Sequence, residues 1–303
     1  MQKTDFTVFW KETDSRQREA LQDQMQLIIN TIPKIEFDTF DAEYTEAAMD
    51  NAIRPDNPVF CFYDQVLERL LTDIPQTQVK PGTVAIWYLY NMGFVIKTPT
   101  TCFGIDIHHR FAIKLEPLLD FMLVTHNHND HYNIPLFRKM TANNKLIVSN
   151  FFPNRGFTKA VSHTHEINDI TIHCGESDHN ERIRKFTMPM EIICPTGDKK
   201  FVFFTSGDTS NHNFLQKHSD AIDLYAVHPR NAMSAIEAAR RLNAKTTLIV
   251  HLQELGHEVG QARWEFQVGR DELAIFRENG FGAYVPFWGE KLLWDGEKLN
   301  VCQ

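Results

Sequence analysis

Nowhere in its 303 residues does the chain run to eighteen consecutive apolar side chains, the length a helix needs to cross a bilayer. The opening stretch Met1–Glu12 also lacks the apolar core of a secretory leader, so the expected compartment is the cytoplasm and no membrane partner is expected. The five cysteines, Cys61, Cys102, Cys174, Cys194 and Cys302, are scattered, odd in number and never spaced Cys-x-x-Cys. That argues against a disulfide framework and against a zinc knuckle. A long basic run is missing too. The net charge is −8, and a polynucleotide partner, whose phosphates demand basic clusters, is not expected. No internal repeat or low-complexity tract interrupts the chain.

The acidity is concentrated at one end. Residues 1–80 hold 8 Lys and Arg against 15 Asp and Glu, while the remaining residues hold 23 against 24. Apolar spacing predicts a helix over Ser15–Asn30, through Leu21, Met25, Leu27, Ile28 and Ile29, closed by Pro33. A weaker helix is expected over Tyr44–Ile53 and a stronger one over Val59–Leu71. Nothing in 1–80 has catalytic spacing, so it reads as an accessory layer that packs on the main domain or in a homo-oligomer. After Pro81-Gly82 short strands dominate: Thr83–Tyr90, Phe94–Lys97, Cys102–Ile107, Leu119–Thr125, Leu146–Ser149 and Ile167–His173. A short helix is expected near Pro135–Thr141. A hairpin joins Ile192–Pro195 to Phe201–Thr205 through Thr196-Gly197-Asp198-Lys199. Strand Leu224–His228, helix Ala232–Leu242, strand Thr246–His251, helix Gln261–Asn279 and a last strand pair near Ala283–Trp294 complete the chain. This mixture fits an α/β sandwich of two sheets flanked by helices.

The densest chemistry lies at 121–133, Phe-Met-Leu-Val-Thr-His-Asn-His-Asn-Asp-His-Tyr-Asn. An apolar strand ends at Thr125, and side chains alternating with period two place His126 and His128 on one side. A turn then brings Asp130 and His131 round. Imidazoles and a carboxylate suit zinc, iron or manganese, and four ligands within six residues can begin two adjacent metal sites. Further ligand types follow other strands. Asp208 sits on a glycine turn in Phe203-Phe-Thr-Ser-Gly-Asp-Thr-Ser, and His251 ends Thr247-Leu-Ile-Val-His. His179 lies just beyond strand Ile170-Thr-Ile-His-Cys, with His173, inside that strand, as the less favoured alternative. Asp106 ends Phe103-Gly-Ile-Asp.

This His-x-His-x-Asp-His loop, followed in order by His179, Asp208 and His251, resembles the metallo-β-lactamase superfamily. The resemblance implies a four-layer αββα sandwich over residues 81–303, with 1–80 as a helical N-terminal extension. It implies two divalent ions, zinc first, with manganese or iron as alternatives. One would be held by His126, His128 and His179 and the other by Asp130, His131 and His251. Asp208 would bridge them, and Asp106 would brace the loop. A narrower resemblance, to L-ascorbate-6-phosphate lactonases, rests on Val79-Lys-Pro-Gly-Thr-Val-Ala-Ile-Trp-Tyr-Leu, the metal loop, Ser206-Gly-Asp and Leu242-Asn-Ala-Lys. The chain departs from that branch in a shorter segment between Asp106 and His126 and in the loop carrying His179.

Paired metals lower the pKa of a shared water towards neutrality. The expected activity is therefore hydrolysis of a small, anionic metabolite, a lactone first and a phosphodiester second. Asp130 would orient the nucleophile or take its proton. His228 or His257, on loops after site-forming strands, would protonate the leaving oxygen. Arg230 would clamp a carboxylate or phosphate. A nuclease is less expected, since only 43 positions separate Asp208 from His251. A di-iron redox role is disfavoured by the intact His128, and a metal-stabilised scaffold is the non-catalytic alternative.

Overall fold

A computed structural model describes residues 5–12, 14–35, 57–158 and 162–302. The helix expected over Tyr44–Ile53 lies outside the described residues. Two seven-stranded sheets form the centre of the molecule. The first has the order β14 (Leu299–Cys302), β13 (Lys291–Trp294), β1 (Val84–Tyr88), β2 (Phe94–Lys97), β3 (Cys102–Ile105), β4 (Phe121–Leu123) and β5 (Leu146–Val148). The second runs β12 (Gly282–Tyr284), β11 (Ala244–Ile249), β10 (Ile222–Val227), β9 (Lys200–Thr205), β8 (Met190–Pro195), β7 (Ile170–Cys174) and β6 (His163–Ile167). The inner faces meet through aromatic side chains. Phe94 and Phe203 touch edge to face with ring centres 5.4 Å apart, and Phe201 meets Trp294 at 5.3 Å. Burying such a ring contributes about 1.5–3 kcal/mol.

Helices cover both outer faces, which gives four layers. Helix α2 (Pro58–Gln76) lies on the first sheet. Its Asp73 accepts from the indole N–H of Trp87 at 2.9 Å, and its Ile74 carbonyl accepts from Lys97. Asn57 caps it by accepting from the Val59 N–H, and Pro58 fits the first turn, where no donor is needed. The helix runs past Leu71, because Ile74 continues its buried stripe. Helix α3 (Ile134–Ala142) packs beside β5, and helices α4 (Ala235–Leu242) and α5 (Phe266–Glu278) cover the second sheet. Helix α1 (Ser15–Ile29) is capped by Asp14 and joins through Arg18, which meets the buried carboxylate of Glu290 at 2.5 Å. One continuous set of buried apolar side chains extends from Phe6 and Met25 through the sheets to Trp294.

Three expectations are corrected. The stretch read as one strand over Ile167–His173 is a hairpin. Ile167 closes β6, Asn168 turns with φ of 56°, and β7 begins at Ile170. The residues read as a final strand pair are split between sheets, β12 pairing parallel with β11 and β13 antiparallel with β1. Helix α5 begins at Phe266 rather than Gln261, because Arg263 is buried and donates to five carbonyl groups around it.

Candidate metal centre

Parallel pairing decides where the polar groups gather. Strands β3, β4 and β5 run parallel in the first sheet, and β9, β10 and β11 run parallel in the second. Their carboxyl ends share one edge of the sandwich, the place where open parallel sheets bind ligands. Asp106 follows β3. His126, His128, Asp130 and His131 lie between β4 and α3. Asp208 follows β9, His228 follows β10 and His251 follows β11. Gly207 lets the two sheets' loops approach. Its φ is +51°, and a Cβ there would lie 2.7 Å from Thr125 Cβ and Oγ1.

Among the described residues four overlapping groups of possible ligand atoms result; Asp208 with His228 and His251, and Asp130 with Glu254 and His257, are two of them, and the other two hold the expected ligands. His126, His128, His179 and Asp208 form one, with all ligand atoms within 4.8 Å of each other, and Asp130, His131 and His251 form the other. Asp208 touches both. Its Oδ2 lies 3.6 Å from His126 Nε2, 3.5 Å from His179 Nε2 and 3.6 Å from His251 Nε2, and its Oδ1 lies 3.5 Å from His131 Nε2. Asp130 Oδ2 is 3.2 Å from His251 Nε2 and 3.6 Å from His131 Nε2. All seven ligand residues expected from the motif therefore stand together. His173 does not join them: it lies on β7, its Nδ1 3.0 Å from Thr164 Oγ1 and its ring stacked on His218.

The tautomers of two rings follow from a single carboxylate. Asp106 is fully buried, accepts from the Thr125 N–H and Oγ1–H at 2.8 Å each, and lies 3.1 Å from His131 Nδ1. A carboxylate only accepts, so His131 carries a proton on Nδ1 and turns its Nε2 towards Asp130 and Asp208. Having given its proton to Asp106, the Thr125 hydroxyl accepts from His126 Nδ1 at 3.0 Å, which frees His126 Nε2 in the same way. This is the orientation a metal-ligating histidine needs. Asp106 itself sits at φ +44° and His251 at φ +60°, left-handed backbone of the kind that gathers at functional sites.

Charge balance points the same way. Burial works against the Asp208 carboxylate, yet the imidazoles of His251, His131 and His126 hold its pKa well below the usual range. Asp130 is likewise held low against its own burial, by His131 and His251. His131 is pushed well above the ordinary imidazole value: burial opposes the proton, and Asp130, Asp208 and Asp106 together outweigh it. Burial and the neighbouring His131 keep His126 neutral, and burial with His179 lowers His128 to about 4. Without a metal, two buried carboxylates are thus compensated by a proton on one imidazole. His131 Nε2, His251 Nε2 and Asp208 Oδ1 are buried without hydrogen-bond partners, a cost of about 1–3 kcal/mol each. A divalent cation between them removes that cost and replaces the proton, so the donor set fits bound metal.

The remaining expected residues differ in their surroundings. His228 is buried, and its Nδ1 accepts from the Arg230 N–H at 3.0 Å. Its ring centre lies 4.1 Å from that of His251. Burial and His251 lower its pKa to about 3, so at neutral pH it is a neutral donor through Nε2 rather than a charged acid. His257 is half-exposed and meets Glu254 Oε2 at 2.6 Å. Burial lowers its pKa, but the Glu254 carboxylate raises it further, for a net increase. Arg230 turns towards α5, 4.0 Å from Asp271, with its side chain 44% exposed. Sequence reasoning missed Asn91, whose amide donates to the Asp130 carbonyl at 3.0 Å and to its Oδ2 at 3.1 Å. It also missed Glu254, and Phe186, whose ring packs beside His126, His128 and His179.

No family model matches the sequence, and no curated protein matches it. Solved structures do. A metallo hydrolase from the hyperthermophilic archaeon Ignicoccus hospitalis superposes with a TM-score of 0.52 at 15% identity, covering 70% of this chain and 98% of that one. A protein of Parabacteroides distasonis assigned as a metal-dependent hydrolase gives 0.50 at 15% identity, over 67% and 92%. The chain has the metallo-β-lactamase fold. At this identity the likeness reaches the architecture and stops there, so the chemistry must be argued from the side chains. Among the described residues no helix is long and apolar enough to cross a membrane.

Proposed function

We propose that this protein is a metal-dependent hydrolase holding two divalent ions, and that it opens an ester bond in a small metabolite, a lactone in first place. The observation that carries the reading is Asp208, a buried carboxylate with one oxygen on His131 and the other on His126, His179 and His251. His126, His128 and His179 would hold one ion, Asp130, His131 and His251 the other, and Asp208 would belong to both. Bound there, the ions would supply an acidified water and polarise the oxygen of the bond under attack. Asp130 would orient the incoming water. The neutral His228 directs its Nε2–H as a fixed hydrogen-bond donor beside His251. The lactone preference rests on the motif resemblance. Arg230, whose observed contact is with Asp271, carries no part of this reading.

The test combines metal content with a substrate panel. Protein purified without chelator should carry close to two divalent ions per chain. It should hydrolyse γ-butyrolactone or p-nitrophenyl acetate and lose that activity on dialysis against a chelator. A chain that binds no divalent ion at micromolar concentration, or one that is fully loaded yet inert on lactone, ester and bis(p-nitrophenyl) phosphate alike, refutes the proposal.

A further inference from the structure

Beyond the ligand set, one buried acidic side chain has surroundings that the metal centre does not explain. Glu254 has no exposed side-chain surface. Its Oε1 accepts from the Tyr90 hydroxyl at 3.1 Å and from the Gly256 N–H at 2.9 Å. Tyr90 is itself oriented, since its oxygen accepts from the Leu255 N–H at 2.6 Å and so presents its proton to Glu254. The other carboxylate oxygen, Oε2, lies 2.6 Å from His257 Nδ1. That ring nitrogen is buried although the side chain is 37% exposed, so the open edge of the ring is the one carrying Nε2. A carboxylate oxygen of Asp130 lies within 4.8 Å of a Glu254 oxygen and of a His257 ring nitrogen, and the His257 ring centre is 6.1 Å from that of His251, which puts the imidazole beside the Asp130, His131 and His251 half of the cluster.

The loop that carries the pair is tied down from a distance. Arg263, 2% exposed, donates to the His257 carbonyl at 2.9 Å and the Leu255 carbonyl at 2.8 Å. The same guanidinium donates to Ile32 at 2.7 Å, Ile29 at 3.2 Å and Pro33 at 3.3 Å, and the Ile35 N–H reaches the Leu255 carbonyl at 2.9 Å. A fully buried carboxylate is costly unless its oxygens are partnered: Oε1 has two fixed donors, while Oε2 faces the His257 ring nitrogen alone, a close contact with no other hydrogen-bond partner on either atom.

We propose that Glu254 is the positioning residue for His257, and that His257 is the proton donor to the leaving oxygen. The idea rests on the hydrolase reading and adds a division of labour to it. In ester or lactone opening, a water gives up one proton to solvent by way of Asp130, and its oxygen forms the new bond to the acyl carbon. The old acyl carbon–oxygen bond breaks, and its electron pair stays on the leaving oxygen. The proton on His257 Nε2 passes to that oxygen, and the imidazole is reprotonated from solvent. Glu254 keeps the other proton on Nδ1 throughout, so that only Nε2 takes part.

Leaving groups of different basicity separate this role from a structural one. On the metal-loaded chain, His257→Asn should lower kcat for ethyl acetate by about a hundredfold or more, the range of positioned general acids. With p-nitrophenyl acetate, whose leaving group needs no proton, the loss should be at least tenfold smaller. Glu254→Gln should reproduce that bias more weakly, and the double variant should be no worse than His257→Asn alone. A second readout does not depend on turnover. Nitrogen-resolved NMR of the metal-free chain should show His257 protonated at Nδ1 with a low-field proton, and that signal should move upfield in Glu254→Gln. Equal losses on both esters, or a wild-type His257 protonated at Nε2 alone, would overturn the proposal. A wild type inert on both esters removes the hydrolase reading and the donor role together, and the NMR signal then decides only whether Glu254 positions the ring.

Discussion

The two halves of the cluster are built from the same residue types and prepared to very different degrees. In the half formed by Asp130, His131 and His251, every side chain is buried. Asp106 sets the His131 tautomer, Asn91 holds Asp130 through its amide, and the Asn91 carbonyl accepts from the His251 N–H at 3.0 Å. In the other half, His126 is buried and oriented through Thr125, but His128 and His179 lie at the rim, half-buried. Their nitrogens also face the wrong partners: His128 Nδ1 sits 3.1 Å from His126 Nε2. One half is already shaped for a cation, and the other must rearrange to receive one. Preorganisation of this kind appears as affinity, because the ordering cost is met during folding rather than on binding. On the two-ion reading, the buried half would therefore be the tight site and the rim half the exchangeable one.

The sharpest way to break this comparison is to remove the residue the halves share. Asp208→Ala should reduce metal content from near two ions to below one and lower hydrolysis by about a thousandfold or more, since several kcal/mol of metal-assisted stabilisation depend on both ions. His128→Ala removes only a rim ligand and should leave one ion firmly held in the buried half. Metal analysis after gel filtration distinguishes the outcomes. If His128→Ala loses both ions, the halves are not independent; if Asp208→Ala keeps two, Asp208 is not the residue they share.

A smaller effect is expected one layer out. Asp106→Asn keeps a residue type that tolerates φ +44° but turns one accepting oxygen into a donor, so either the Thr125 N–H or the Thr125 hydroxyl and His131 Nδ1 lose their acceptor. Loss of such a bracing group costs about 10–100-fold in metal affinity. The loss should be greater in the buried half, where Asp106 contacts His131 directly, than at the rim, which it reaches only through Thr125 and His126. Competition with a chelator of known affinity measures both steps. Equal weakening of the two would mean that Asp106 acts on the loop as a whole rather than on one tautomer.

What could be read from the sequence follows from how far each signal travels along the chain. The ligands were legible because each directly follows an apolar strand, and strand ends are local features. His179 could be preferred to His173 because an alternating strand fixes which histidine is inside it. The polar edge strand β6, His-Thr-His-Glu-Ile, carries no apolar alternation and was invisible. So was the separation of β12 from β13, which depends on partners far away in the chain. Helix α5 was drawn too long, since apolar spacing cannot reveal that Arg263 spends its donors on carbonyls more than two hundred positions upstream. Glu254 was missed for the same reason: its meaning comes from Tyr90, 164 positions away.

The smallest expected effect concerns His179 and the residue after it. The side-chain amide of Asn180 cannot easily turn, because its Oδ1 accepts from the Arg182 and Ile183 N–H groups at 2.9 Å each. Its Nδ2 must therefore donate to His179 Nδ1, 3.0 Å away. An Nδ1 that accepts puts the ring proton on Nε2, which faces Asp208 at 3.5 Å. Ligation through Nε2 requires the opposite tautomer, with its proton on Nδ1 and an acceptor to receive it. Asn180→Asp supplies that acceptor while the other carboxylate oxygen still accepts from Arg182 and Ile183. The variant should bind the second-released ion with unchanged affinity and the first-released ion about three- to tenfold more tightly. The gain is modest because His179 would be only one of several ligands in the rim half. Stepwise release into a coloured chelator resolves the two ions. Weaker binding of the first-released ion in Asn180→Asp would mean that His179 acts as a donor to Asp208 rather than as a ligand, and the rim half would then rest on His126, His128 and Asp208 alone.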